Sequence, residues 1–376
     1  MLKRLLYTIL LTAVCIACAS CTKPGQPSST QSGLTPSDTH SSSVTLTPVT
    51  EIVFELDWSN DNDVSYDTLL GAIQKNPELK LIRADNTTLT SDQYIKLCKA
   101  NKNVTLELVA KVKFEKLTID LTTSEIDISK AEISDKAAFD ELMSVIPEGH
   151  KIIMCDCNYT NEEMAALREK HSHLDFAWKL YLGEKWTLRT DDEAFSVMIY
   201  NYNYTRMTSK DIEILKYCTN MKALDLGHQA ITDLSVFSTL TELRVLILAD
   251  NKVSDLTPLS SLKKLEYLEL FVNRISDLSP LAECTSLIDL NFGFNRSIKD
   301  ISCIYSLDKI ERLWLPTTGV SESQYDEIKA SFPNAKIVFK DVDSVSSGWR
   351  THPRFKPMRA MFLNNKYDEN FASYKE

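Results

Sequence analysis

From Leu224 onward, apolar and polar positions follow one short phrase that recurs four times: LDLGHQAITDL (224–234), LILADNKVSDL (246–256), LELFVNRISDL (268–278) and LNFGFNRSIKDI (290–301). A fainter fifth copy, LWLPTTGVS, begins at Leu313. Gln229, Asn251, Asn273 and Asn295 stand 22 residues apart, and Thr318 follows 23 further on because the fourth copy carries one extra residue. Leucines two apart share one face of a short strand, so Leu246, Leu248, Asn251 and Val253 read as inward places. The asparagine ends the strand, where its amide can bond backbone groups of the neighbouring turn that would otherwise be buried unpaired. The phrases D-L-T-P-L (255–259) and D-L-S-P-L (277–281) predict short helical turns, with Thr257 and Ser279 as N-caps and Pro258 and Pro280 at the first helical position.

This is the leucine-rich repeat pattern, L-x-L-x-x-N-x-I. One repeat cannot bury its leucines alone, so the expected fold class is an α/β solenoid: a curved parallel sheet on the concave side, short helices or 3-10 turns on the convex side, and a continuous core. Imposing the same inward spacing on residues 51–200 gives four further sets. They are Ile82, Ala84, Thr87, Leu89; Ile126, Ile128, Ala131, Ile133; Ile152, Met154, Cys157, Tyr159; and Val197, Ile199, Tyr202, Tyr204. NTTLTSDQYIKL (86–97) is echoed by CNYTNEEMAAL (157–167), and EKLTIDLTT (115–123) by EKWTLRTDD (184–192). A duplicated unit of about 70 residues, holding two strand–helix turns and an extra extended segment, accounts for both echoes. Longer helices are predicted over 66–74, 92–100, 137–145 and 162–171. Residues 323–339 read as a last helix, a turn at Pro333-Asn334 and a final strand that caps the core.

The start of the chain has another character. Lys3 and Arg4 precede an apolar run, 5–17, that is short for a membrane span, and Ala19-Ser20-Cys21 has the look of a lipobox. The expectation is a lipoprotein signal peptide over 1–21, lipidated at Cys21, with Cys18 as the alternative. Residues 22–50 are Ser, Thr and Pro with few apolar groups, too few to offset ordering entropy, and predict an extended tether. Then come irregular repeats over 51–200, regular repeats with their cap over 201–340, and a basic-aromatic extension over 341–376. Without Lys3 and Arg4, 40 of the 42 basic residues remain against 52 acidic ones, a net charge near −12. That balance argues against nucleic acid or an anionic lipid surface as partner, leaving a lipid anchor as the only membrane contact. The expected location is the extracellular face of the cytoplasmic membrane, and the expected state a monomer.

Chemistry-bearing groups are few. Cys155 and Cys157 form C-x-C, one residue short of the usual metal or redox spacing, and Cys157 falls at the asparagine place of its repeat. Cys218 and Cys284 replace leucines of a core column that also holds Leu240 and Leu262, so free thiols are expected. Hydrolase, metalloprotease, P-loop and dinucleotide signatures are not found, and nine glycines in 376 residues leave little for phosphate-cradling loops. The expectation is a non-enzyme with no catalytic residues, no metal and no cofactor. An uncharacterised hydrolase is the remote alternative.

Between the inward leucines, outward residues should line the concave side. The candidates for binding a protein or glycan are Asp225, His228, Asp250, Tyr267, Glu269, Phe271, Asn291, Phe294 and Trp314. Phe271, Phe294 and Trp314, with Tyr267, would make an aromatic stripe ringed by acids, the make-up of a protein-binding hot spot. The other arrangement is that the tail, with Trp349, Arg350, His352, Arg354, Lys356 and Arg359, folds back over the stripe and complements Glu269, Asp289 and Asp250.

The 22-residue repeats resemble the internalin-like class of bacterial surface proteins. NEEMAAL (161–167), YLGEKWTLRTD (181–191), YLELFVNRISDLSPL (267–281), ERLWLP (311–316), GWRTHPRF and MRAMF (348–362) together look like exported leucine-rich repeat lipoproteins of clostridial Gram-positive bacteria. The resemblance implies a lipid-anchored surface protein with an adhesion or recognition role and no catalytic residues. A structural spacer or assembly protein of the envelope is the alternative role.

Overall fold

The computed structural model describes residues 54–55, 65–75, 81–100, 105–197, 205–343 and 345–375. Cys18, Cys21, the tether and Ile199, Tyr202 and Tyr204 lie outside these residues. Strands β1 (Phe54–Glu55), β2 (Leu81–Thr90) and β3 (Thr105–Phe114) pair in parallel, and β4 (Leu117–Asp120) folds back antiparallel onto β3. A second parallel sheet joins β5 (Glu125–Asp127), β6 (Lys151–Ile153) and β7 (Asp175–Ala177). Then β8 (Lys179–Leu182) and β9 (Trp186–Arg189) make an antiparallel hairpin. The largest sheet is parallel and runs in chain order through β10 (Ala194–Ser196), β11 (Ala223–Asp225), β12 (Val245–Ile247), β13 (Tyr267–Glu269), β14 (Asp289–Asn291), β15 (Arg312–Trp314) and β16 (Lys336–Val338).

The repeats thus stack as an α/β leucine-rich repeat solenoid with one buried cluster running from Leu69 to Phe332. One correction concerns the sheet. Its parallel pairing is broken into three runs rather than continuous, because two hairpin arms interrupt it. These arms are the two echoed segments: EKLTID turns at Glu115 into β4, and GEKWTL turns at Gly183 into β9. Both turn residues have left-handed backbone, with φ of 50° and 53°. The helices over Tyr66–Lys75, Ser91–Ala100, Lys136–Met143 and Asn161–Lys170 are longer than the five-residue 3-10 turns of the later repeats.

The asparagine column ties each coil to the one before it. Asn251 Nδ2 donates to the carbonyls of Leu226 and Leu248 while its Oδ1 accepts from the Ile231 amide. Asn273 and Asn295 repeat the pattern one and two coils on. Each amide satisfies backbone groups that would cost about 1–3 kcal/mol apiece if buried unpaired. Cys157 stands in the same place of an irregular repeat, and its Sγ lies 3.3 Å from the carbonyl of Ile128. A thiol can therefore replace one asparagine bond there. Among the described residues Cys98, Cys155, Cys157, Cys218, Cys284 and Cys303 are all free thiols.

The convex turns correct the capping expectation. Thr257 and Ser279 lie inside their 3-10 turns and do not cap them with their side chains. Asp233, Asp255, Asp277 and Asp300 accept from the amides two residues on, at 2.8 Å each. The recurrent aspartate of T-D-L, S-D-L and K-D-I is thus the residue that opens each turn.

Candidate binding face and its C-terminal cover

The outward residues of β10 to β15 do not face solvent, which corrects the exposed aromatic stripe. Residues 345–375 lie across them. A helix, Phe355–Asn364, and a 3-10 turn, Phe371–Ser373, pack on the sheet. Met358, Met361 and Phe362 share one helix face, and with Trp349, Tyr367 and Phe371 they bury Ala194, Ala223, Val245, Ile247, Tyr267, Phe271 and Trp314. This cluster is separate from the repeat core on the other side of the same strands.

Trp349 is the centre of the seam. Its ring centroid lies 5.3 Å from that of Tyr267 and 5.1 Å from that of Trp314, and the Arg312 guanidinium stands 4.3 Å from it. Its Nε1 donates to Glu269 at 2.8 Å. Glu269 is fully buried and also accepts from the Tyr267 hydroxyl and from Arg350 at 2.9 Å. One strand over, buried Asp289 accepts two 2.7 Å bonds from Arg312 and bonds of 3.1 and 3.2 Å from Arg354. Arg312 donates back to the Trp349 carbonyl at 3.0 Å, and Arg354 to Glu311 and to the Ala372 carbonyl. At the far end, the Asn365 carbonyl accepts from the amides of Glu193 and Ala194, Tyr367 donates to Glu266, and Lys222 bridges Glu193 and Glu369.

Three donors at this seam are buried without a hydrogen-bond partner: Arg244 Nε, beside the Tyr367 ring, Trp314 Nε1 and Arg354 Nε. Each such group costs about 1–3 kcal/mol. Asp225 also lies on the covered face, accepting from Ser196 Oγ at 2.8 Å and the Gly227 amide at 3.0 Å. Burial pushes its carboxyl up to about 6. Asn291, fully buried, accepts from the Gly293 amide.

The remaining candidates sit at the rim, where the strands end. His228, Asp250, Val272, Phe294 and Thr317 occupy equivalent places before the asparagine column, all with left-handed φ between 50° and 60°. His228 Nδ1 lies 2.9 Å from Asp250, which also pairs with Arg206 at 3.4 Å. Aspartate tolerates this backbone; valine and phenylalanine do not. The amides of Val272 and Phe294 donate to the carbonyls of Gly293 and Pro316 on the next coil, which holds the left-handed turn, while Val272 stays 40% exposed and Phe294 half-buried. Arg274 and Arg296 stand exposed two residues further along each coil.

Sequence reasoning thus named the residues of two different surfaces as one. It missed Val272 as a strained position, and Tyr367 and Phe371 as part of the cover. The 358, 361, 362 spacing was the available signal for the covering helix. His171, expected at a helix end, caps the helix Asn161–Lys170 and is buried 2.8 Å from Asp140. Among the described residues no three His, Cys, Asp or Glu side chains converge on a possible metal position, and no helix is long and apolar enough to cross a membrane.

The architecture defines the class, a leucine-rich repeat solenoid. Residues 241–283 match the family model of leucine rich repeats in two copies. Similar solved structures include an internalin C2 of Listeria monocytogenes, 19% identical, covering 74% of this chain and 84% of that one with a TM-score of 0.32. They also include an internalin of the same organism, 16% identical over 76% and 86% (TM-score 0.32). A leucine-rich repeat protein of Leptospira interrogans is 16% identical over 71% and 74% (TM-score 0.29). No curated protein matches the chain.

Proposed function

We propose that the chain is a recognition scaffold, exported as a lipoprotein of the clostridial Gram-positive type and anchored through Cys21 on the outer face of the cytoplasmic membrane. It binds a protein partner across the rim formed by His228, Asp250, Val272 and Phe294. The observation that carries this reading is the pair Val272 and Phe294: two bulky side chains kept in left-handed backbone on neighbouring coils, without full burial to compensate. Bulky apolar side chains held in this backbone and left partly exposed on neighbouring coils suit a surface that serves binding. With Arg274 and Arg296 beside them, the rim suits a partner segment that combines apolar and acidic residues.

The test uses Val272→Asn and Phe294→Asn, since asparagine accepts this backbone. Captured proteins from envelope or mucosal extracts are compared with those of the wild type by mass spectrometry. The expected result is loss of a discrete captured protein with thermal stability equal or higher. Unchanged capture by the folded double variant would remove the rim from the proposal. For the anchor, Cys21→Ala should abolish lipidation in N-terminal peptide mass spectrometry while Cys18→Ala leaves it; an unmodified mature terminus further downstream would refute lipidation.

A further inference from the structure

We infer that residues 348–375 are an internal ligand of the sheet face, a displaceable strap, and that the uncovered face takes in trans a peptide presenting an indole beside two guanidinium groups. The inference rests on the recognition reading, but its test needs no outside partner.

Four observations converge. The strap's apolar contacts form a cluster separate from the repeat core, so lifting it leaves the inward leucines packed. Its ten-residue helix is too short to persist alone in water, so it is ordered by the sheet as a bound peptide is. The seam is built as a receptor: Glu269 gathers the Trp349 indole and Arg350, Asp289 gathers Arg354, and Tyr267 and Trp314 flank the indole. Closure also leaves Trp314 Nε1 and Arg354 Nε unpaired, donors that water would satisfy on opening. Arg312, Asp289 and Glu269 would likewise regain hydration, which lowers the cost of opening relative to an apolar seam. Asp341 and Asp343 bond locally within the connection to β16: Asp341 accepts from Ser346 and Ser347, and Asp343 from the amides of Val345 and Ser346, while Val342 is 91% exposed and Gly348 has a φ of +100°.

The experiment adds a fluorophore-labelled synthetic peptide of residues 345–375 to the full chain and reads anisotropy. Hosts are the wild type, the opening variant Trp349→Ala with Arg354→Ala, and the milder Arg350→Ala. The opening variant should bind the peptide at least tenfold more tightly than the wild type, with Arg350→Ala between them. A peptide carrying Arg350→Glu and Arg354→Glu should not bind. Failure of both variants to take up the peptide would overturn the inference, as would loss of the cooperative thermal transition of the repeats in Arg350→Ala. Either failure leaves the rim proposal standing, because Val272 and Phe294 are not covered by the strap.

Discussion

The strands β10 to β15 bury both of their faces, one purely apolar and the other apolar with charges built into it. Inward they present Leu224, Leu246, Leu268, Leu290 and Leu313, each fully buried. Outward they present a mixed surface: Ala223, Val245, Ile247, Tyr267 and Trp314 are buried beside Asp225, Glu269, Asp289 and Arg312, with unpaired donors among them. A dry leucine column is stable only closed. A dry charged seam lies close to balance, since burying ion pairs takes back most of what their attraction gives. Burial alone therefore does not separate what holds a fold from what covers a surface; the chemistry of the buried atoms does.

The contrast is broken most forcefully from the inward side. Leu268→Ala should cost about 3–5 kcal/mol, because a cavity opens in a core packed from every direction. Chemical denaturation should show one lowered midpoint for the repeats. Asp289→Asn on the outward side leaves Arg312 and Arg354 short of charge. In a rigid interior that would cost about 3–5 kcal/mol. If the strap can open, the loss is capped at the free energy of opening, so the global midpoint should fall by less than for Leu268→Ala while protease reaches residues 348–375 sooner.

Asp225 sharpens the comparison through pH. Its folded pKa, about 6, stands above the ordinary value near 4, so the folded state holds the proton more tightly. The stabilisation is complete below about pH 4 and is lost as pH rises through about 6. The difference corresponds to about 3 kcal/mol. Glu269 and Arg350 are the charged groups that act on it from the sheet and the strap. Asp225→Asn should flatten the fall in melting temperature between pH 4 and 7 and raise the value above pH 6. A smaller effect is expected at the rim: Val272→Asn should be neutral or stabilising by about 1 kcal/mol, through relief of left-handed strain. A clear loss of stability in denaturant titration would mean that Val272 serves packing instead.

What the sequence made legible follows from the range of the forces involved. The leucine and asparagine columns are repeated locally, so their spacing carried the solenoid and its α/β class. The duplicated segments were visible at 115–123 and 184–192, but their antiparallel pairing was not, because an echo gives length without direction. Thr257 and Ser279 read as caps in the pattern, yet Asp255 and Asp277 open the turns two residues earlier, a local ambiguity among side chains that can all accept an amide. The docking of the tail joins residues 65 to 81 positions apart with no periodicity. The basic-aromatic make-up of the tail, set against Glu269, Asp289 and Asp250, hinted at it and left both an open and a covered face admissible.

The most direct test of the separable outer layer is native-state hydrogen exchange on the full-length wild type. Amides of the helix Phe355–Asn364 are compared with those of β12, β13 and β14 as denaturant is raised. The expected result is two isotherms: the helix amides exchange through a sub-global opening, at lower free energy and with a smaller denaturant dependence than the strand amides. A single isotherm, with the helix protected to the full global stability of the repeats, would contradict it and make residues 345–375 an integral part of the solenoid fold.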